Sequence, residues 1–388
     1  MPGLFPGDAS ALARHLLRSG VLALALLVAS SLGVDVAFAV DRAEDVLVLE
    51  IARNRDFREV QRTLEASDAR SICIKIKSGS YRLRHSLHIN RSNVSLVGEA
   101  GTVLRLAKNA QAPVISVGPL SEYPEEWERI ENVTIANLVI DGNKDYQESE
   151  YNQQRPWIRN NGIDARTVTG LRVEGVICGN NRSGGLVVSW RCRDVVARTC
   201  VFENNYFDGV AYYDSVGVYT VDCDLRRNRG AGVSIDNAVS EALFANCRIV
   251  DNRDVGVFAR HSDGLMFYKS LVKGSGNWAF FLSHDEKGKG VFNVEIASCE
   301  IVENNGGVRM GSVTAKQSAA NRVVLSSFAR NDLRGRGAIS TAGAPLDRLE
   351  GGWNPVGNEG ADLPDGPYSK RLYQALNTYD SLVAAPES

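Results

Sequence analysis

Residues 247–264 read CRIVDNRDVGVFARHSDG. At 223–237 the chain reads CDLRRNRGAGVSIDN, and before that, at 200–215, CVFENNYFDGVAYYDS. The three stretches are one sentence rewritten. Cys200, Cys223 and Cys247 share a column that Val176 opens and Ser270 and Cys299 continue. Asn180, Asn204, Asn228 and Asn252 recur at intervals of 24. Gly185, Gly209, Gly232 and Gly256 form a third column, each followed by a short apolar run: LVV, VAYY, VSI and VFA. Weaker copies begin at Asn161 and near Asn305 and Asn331. A fixed lag of 22 to 24 residues is the mark of a stacked-repeat architecture.

Within one unit the residues are β-branched and aromatic, alternate in character and are broken by Asn and Gly. They read as short strands, and helical periodicity is absent. A unit this small cannot bury its own apolar face, whereas stacked units can. The expected fold is all-β: a single-stranded, right-handed parallel β-helix. Each lag is one coil, and neighbouring coils pair as parallel strands about 4.8 Å apart. Asn at a turn tolerates left-handed backbone and can bond its counterparts above and below. The Cys column then reads as an inward ladder of small apolar side chains, with disulfides as the alternative for seven Cys in an exported chain. No Cys-x-x-Cys pair or Cys/His cluster has ligand spacing, so no metal site is expected. A leucine-rich horseshoe would need L-x-x-L-x-L, which the chain lacks.

The 44 Lys and Arg nearly balance the 46 Asp and Glu, which leaves no basic excess for nucleic acid. Arg14, His15 and Arg18 precede an apolar run, Val21–Val34, and Ala37-Phe38-Ala39 follows as an A-x-A cleavage site. That order predicts a signal peptide over 1–39, a secreted or periplasmic location, and no membrane segment in the mature form. An uncleaved anchor is the alternative. The β-helix domain is expected over 40–345. Its capping helix lies at 54–68, where Phe57, Val60 and Leu64 share one face. A tail with a short helix follows over 346–388. Oligomeric state is not encoded in any pattern found.

Chemistry is sought in the columns that do not repeat. With the residue after each Gly facing inward, the fourth faces out: Arg166, Ser189, Tyr213, Asp236, Arg260, Ser283. The turn residues that follow are Thr167, Trp190, Asp214, Asn237, His261, His284. Tyr213, Asp214, Asp236, Arg260, His261 and His284 should therefore gather at one strand edge over roughly 15 Å. These are the candidate catalytic groups. The plain alternative is a solvated polar surface with an Asp236–Arg260 pair. Two loops, 142–161 and 285–290, add candidate substrate-binding residues: Arg155 and Trp157 in the first, Lys287 in the second. Trp190, Asp164 and Arg166 join them from the wall. Aromatic rings stack on sugar faces and Arg pairs with carboxylates.

Over residues 45–340 the chain resembles the pectate-lyase-like superfamily, through the coil repeat and the opening IKSGSYRLRHSLHINRSNVSLVGEAGTVLRL. LVIDGNKD (138–145) and NNYFDGVAYYDSV (204–216) are similar to mannuronan C5-epimerase modules, which act on a uronic acid polymer. The catalytic Asp-Pro-His of those modules is replaced here by Val187-Val188-Ser189-Trp190. The resemblance implies an exported carbohydrate-active protein with a polysaccharide partner and no cofactor, calcium being the ion some such lyases use. Three functions stay open. A lyase or C5-epimerase would use Arg260 on the uronate carboxylate, His261 or His284 as base and Tyr213 as acid. A glycoside hydrolase would pair Asp214 with Asp236. A non-catalytic binding protein would use Trp157, Trp190 and Tyr213 alone.

Overall fold

The computed structural model describes residues 46–310, 322–324, 326–331 and 339–340. The expected signal peptide and the expected C-terminal tail lie outside the described residues.

From Val46 the chain winds as a right-handed parallel β-helix with three walls. Among the described residues the first wall has 11 strands, and the second and third have 10 each. One coil gives the plan. Ile163–Arg166 lies in the second wall, Val168–Glu174 in the first, and Ile177–Gly179 in the third. The next coil repeats it with Leu186–Ser189, Cys192–Arg198 and Val201–Glu203. All pairing between these coils is parallel and in register, with Ile163 on Leu186, Arg172 on Val196 and Cys178 on Phe202.

The corners explain the Asn, Asp and Gly content. The coil from Asp214 turns through left-handed backbone at Asp214 (φ 44°), Gly217 (69°), Asp222 (53°) and Arg227 (54°). The coil before it does so at Trp190, Arg191, Asp194, Thr199 and Asn204. Such backbone costs ordinary residues of order 1 kcal/mol, and Gly, Asn and Asp bear it best. The Gly column has a different cause. A Cβ on Gly232 would stand 2.5 Å from the Ile249 side chain and 2.7 Å from the Asn252 amide, so the next coil leaves no room for one.

The Asn spacing of 24 conceals two columns. Asn180 and Asn204 are left-handed corner residues, and their column continues as Arg227 and Asp251. Asn228 and Asn252 belong one position later, below Asn181 and Asn205, in a fully buried ladder. The Asn181 Nδ2 donates to Asn205 Oδ1 at 2.7 Å, Asn205 to Asn228 at 2.9 Å, and Asn228 to Asn252 at 3.0 Å. The Oδ1 atoms of Asn205, Asn228 and Asn252 also accept the backbone N–H of the preceding rung, at 3.2, 3.1 and 3.0 Å. From Ile163 to Phe280 coils of 23 and 24 residues alternate, so a fixed lag steps from one column to the other.

Cys200, Cys223, Cys247 and Cys299 are buried, unbridged, and turned inward with Ser270 between them. Their Sγ atoms bond carbonyls of the same and preceding coils; Cys247 reaches Ala245 and Thr220 at 3.3 Å each. Large core side chains stack along the same axis. Phe244 and Phe267 lie face to face at 4.8 Å, and Phe280 meets Phe267 edge-on at 5.1 Å. Helix α1 (Asp56–Ala66) buries Phe57, Val60 and Leu64, and its Gln61 exchanges hydrogen bonds with the backbone of His88.

Removing a rung should cost more than changing a thiol. Asn228→Ala strips partners from the Asn205 backbone N–H and the Phe202 carbonyl, both buried, and should lower stability by about 2–4 kcal/mol. Cys223→Ser places the residue that the column already uses at Ser270 and should stay within about 1 kcal/mol. Urea unfolding followed by circular dichroism measures both.

Candidate functional site

The second wall carries the candidate site. Its strands Val210–Tyr213, Val233–Asp236, Val257–Arg260 and Phe280–Ser283 lie in order, with Tyr213 on Asp236 and Arg260 on Ser283. The residues between them in each strand, Tyr212, Ile235, Ala259 and Leu282, are buried in the core. Alternation therefore turns Tyr213, Asp236 and Arg260 to one outer face.

Asp236 grips Arg260 with both carboxylate oxygens. Nε lies 3.0 Å from each, and Nη2 makes a further close bond. Asp236 Oδ1 also accepts the Asn237 N–H at 2.7 Å. The hydrogen bond to Asp236 raises the Arg260 pKa further, so the guanidinium stays charged. With Nε and Nη2 engaged, Nη1 is left for a ligand, and the Arg260 side chain is 39% exposed. His261 follows at the corner with left-handed backbone (φ 43°). Its Nδ1 lies 3.4 Å from Asp285 Oδ2. Burial works against that carboxylate, but the Lys289 and Lys287 N–H groups and His261 hold its pKa below the usual value. His284 occupies the same corner one coil on, and its buried Nδ1 has no hydrogen-bond partner among the described residues. Lys287 is exposed at the tip of the turn that Asp285 closes, with N–H bonds at 2.9 and 2.7 Å.

Other expected site residues sit differently. Tyr213 is half-buried; burial first, then the Asp208 carboxylate, push its phenol up to about 12, while Ser234 hydrogen-bonds it. Burial raises the Asp214 pKa, although the nearby Arg191 opposes the shift. The Asp214–Asp236 couple is therefore not a pair of free carboxyls, since Asp236 is committed to Arg260. Asp164 and Arg166 are 2% and 5% exposed, paired at 3.4 Å under the loop that begins at 142. Arg166 donates to the Trp157 carbonyl and, at 3.4 Å, to that of Ser121. They hold the loop down rather than face solvent. Trp157 is half-buried with its indole N–H on the Leu120 carbonyl at 3.0 Å. Trp190 meets Tyr123 edge-on at 6.0 Å, and Arg155 is exposed.

The opposite edge of the same wall holds residues that the sequence reading passed over. A groove of about 560 Å³ is lined by Asp208, Asp254, Glu150 and Arg229 over Phe258 and Phe281. The two rings meet edge-on at 5.9 Å. Asp208 Oδ1 accepts the Ala231 N–H at 2.7 Å. Burial, with Asp254 adding to it, raises the Asp208 carboxyl to about 6. The available signal was the residue before the Gly column, Asp208-Gly209, whereas only the residues after Gly were read as alternating.

Asp208 sets a pH test. Its folded pKa lies above the unfolded value near 3.8, so the folded state holds the proton more tightly. Stability then falls as pH rises from about 4 through about 6 and stays lower above that window. Asp208→Asn keeps an acceptor for Ala231 and removes the charge. It should raise stability by roughly 1–3 kcal/mol at pH 8 and leave it nearly unchanged at pH 4, as thermal melts at the two pH values would show.

No curated protein matches the chain. Solved structures share its fold. The ORF18 protein of Geobacillus virus E2 is 13% identical over 76% of this chain and 59% of that chain, with a TM-score of 0.59. PfbA, a surface adhesin of Streptococcus pneumoniae, is 8% identical over 74% and 76%, with a TM-score of 0.53. The A-module of mannuronan C-5 epimerase AlgE6 from Azotobacter vinelandii is 14% identical over 75% and 92%, with a TM-score of 0.43. This chain thus spans 59% of the viral protein's length, and at such identities the likeness is one of fold alone. A family profile matches more than half of the chain, residues 136–368, and on that match the protein belongs to the family described as periplasmic copper-binding protein (NosD).

Proposed function

We propose that the protein acts in the periplasm on a uronic-acid-containing polysaccharide laid across the second wall, as a lyase or C5-epimerase. One observation carries this reading: Asp236 presents Arg260 beside the His261–Asp285 pair at a single wall corner. Both reactions begin by removing the proton at C5 of a uronate. The electron pair left behind spreads into the carboxylate, and a guanidinium there stabilises the dianion. Arg260 supplies the guanidinium through its unengaged nitrogen. His261, oriented by Asp285, takes the proton, with His284 beside it as the second candidate base. In a lyase the pair then forms the C4–C5 double bond and O4 departs with a proton. In an epimerase a proton returns to C5 on the opposite face. Tyr213 keeps its proton at neutral pH, with its pKa near 12, and is the acid in either case. Arg155, Trp157, Trp190 and Lys287 flank the path of the chain.

A hydrolase remains the second reading, now favoured by Asp208 rather than by Asp214 with Asp236. A carboxyl near 6 beside a second carboxylate, Asp254, is the environment of a general acid.

The family's description names copper. Copper takes thiolate, thioether and imidazole ligands. Here burial pushes the thiols of Cys178, Cys192, Cys247 and Cys299 up to about 12, which keeps them protonated, and their Sγ atoms bond core carbonyls. Among the described residues no three His, Cys, Asp or Glu side chains form a metal-sized group. These residues do not fit a copper ion.

Purified protein incubated with alginate and polygalacturonate should yield unsaturated ends with ultraviolet absorbance, or take up solvent deuterium at C5. Arg260→Ala should lower that rate by about 10²–10³-fold. Arg260→Lys should recover part of it, because the charge remains without the fork. Turnover of Arg260→Ala at the wild-type rate would refute the assignment. Running the assay with and without calcium tests the ion that the lyase resemblance brings.

A further inference from the structure

The N-terminal end of the solenoid carries a groove that the repeat does not account for. Helix α1, the turn before it and residues 82–87 enclose about 1060 Å³. Six arginines line it: Arg53, Arg55, Arg58, Arg62, Arg82 and Arg84. All six are exposed. The carboxylates of the lining are Asp56 and Glu59. Four guanidinium charges are therefore left over, in a chain whose net charge is −2. Asp56 is already committed. Its Oδ2 accepts the N–H groups of Ala52 and Arg53 at 2.9 and 2.8 Å, and its Oδ1 lies 3.8 and 3.9 Å from Arg53 and Arg55. Among the described residues no carboxylate lies within ion-pair distance of Arg58, Arg62, Arg82 or Arg84.

Two elements hold this charge in opposing rows. Arg58 and Arg62 stand one helical turn apart on α1, on the same side. Arg82 projects from the strand Gly79–Leu83 between the buried Tyr81 and Leu83, and its backbone N–H is pinned to Asn54 Oδ1 at 2.8 Å. Arg84 and His85 continue that row. Like charges lining one groove repel one another. A bound anion removes the repulsion, and the guanidinium fork matches a carboxylate in two-point contact.

The shape selects among anions. The apolar residues of the lining, Phe57, Leu83 and Leu87, are 8%, 4% and 2% exposed and form its floor. A bilayer-binding surface presents apolar side chains for insertion beside its cations. This one is concave and offers none.

We infer that the arginine groove at the N-terminal end binds a carboxylate-bearing polysaccharide chain, as a site separate from the Arg260 corner. The choice of glycan rests on the function proposed above, whereas the presence of an anion site does not. Between the second-wall strands Leu87–Ile89 and Val257–Arg260 lie six coil steps, roughly 29 Å at the spacing of paired strands. The two sites are thus distinct.

The test is binding of a fluorescein-labelled oligogalacturonate to the full chain, read by anisotropy at several salt concentrations. Neutral dextran and phosphatidylglycerol vesicles are run in parallel. The wild type should bind the oligouronate, more weakly as salt rises, and leave dextran unbound. Arg58→Gln/Arg62→Gln/Arg84→Gln should lower the affinity at least tenfold and flatten the salt dependence. Arg58→Glu/Arg62→Glu/Arg84→Glu should lower it further, to what the second wall alone retains, with circular dichroism confirming that both variants fold. Arg172→Gln, which neutralises an exposed arginine of the first wall, should bind as the wild type does. Unchanged binding by the charge-neutralised variant would overturn the groove, as would capture of vesicles in place of the oligouronate. Failure of the functional reading looks different: no uronate is turned over, yet binding in the groove persists.

Discussion

Parallel pairing of successive coils, held in one register by a buried ladder of amides, is the constraint on which everything else depends. Backbone pairing alone does not choose a register, because a strand that slips by one residue still makes its hydrogen bonds but turns every side chain to the wrong face. The Asn181–Asn205–Asn228–Asn252 ladder removes that freedom. The side-chain oxygens of Asn205, Asn228 and Asn252 each accept both the amide and the backbone N–H of the rung before, so displacement of one rung leaves several buried polar groups unpaired at once. The Gly column reinforces the register by closing the space that a shifted side chain would occupy.

Once the backbone is satisfied internally, the outward positions of the second wall are free to vary. Residues 23 or 24 apart in sequence then stand one above another. The Asp236–Arg260 pair illustrates the result. It spans one coil step, and Arg260 is 39% exposed, so its contribution to stability is small. Its geometric effect is larger. Two-point contact fixes the guanidinium plane and leaves Nη1 unengaged, a constraint that a lysine at the same place would not have.

The β-helix, its inward Cys column and the outer face shared by Tyr213, Asp236 and Arg260 were legible in the sequence, because a period of one coil and a period of two residues along a strand are both set by backbone geometry. Three features were not. The two Asn columns were merged, since coils of unequal length let a constant lag step from corner to core. Asp164 and Arg166 read as outward, and they are, but a loop anchored by Trp157 covers them, and loop paths carry no periodic signal. Asp208 and Asp254 were missed because they precede the Gly column, at a corner where alternation of side chains does not apply.

The two corners of the second wall treat their carboxylates in opposite ways, and the cause is local backbone. Asp285 closes a turn whose N–H groups point at it, and that hydrogen bonding outweighs burial and keeps it anionic. Asp208 has one such N–H, from Ala231, in a groove floored by phenylalanine rings, and there burial prevails. Between the ordinary carboxylate range and about pH 6 the wall is therefore polarised across its width, with a neutral, proton-bearing carboxyl at one edge and a histidine–carboxylate pair beside a fixed guanidinium at the other. A sugar chain lying along the wall would meet a hydrogen-bond donor over aromatic rings on one side and a cation on the other. That asymmetry distinguishes its two faces, and a reaction that removes a proton from only one face of a ring needs such a distinction.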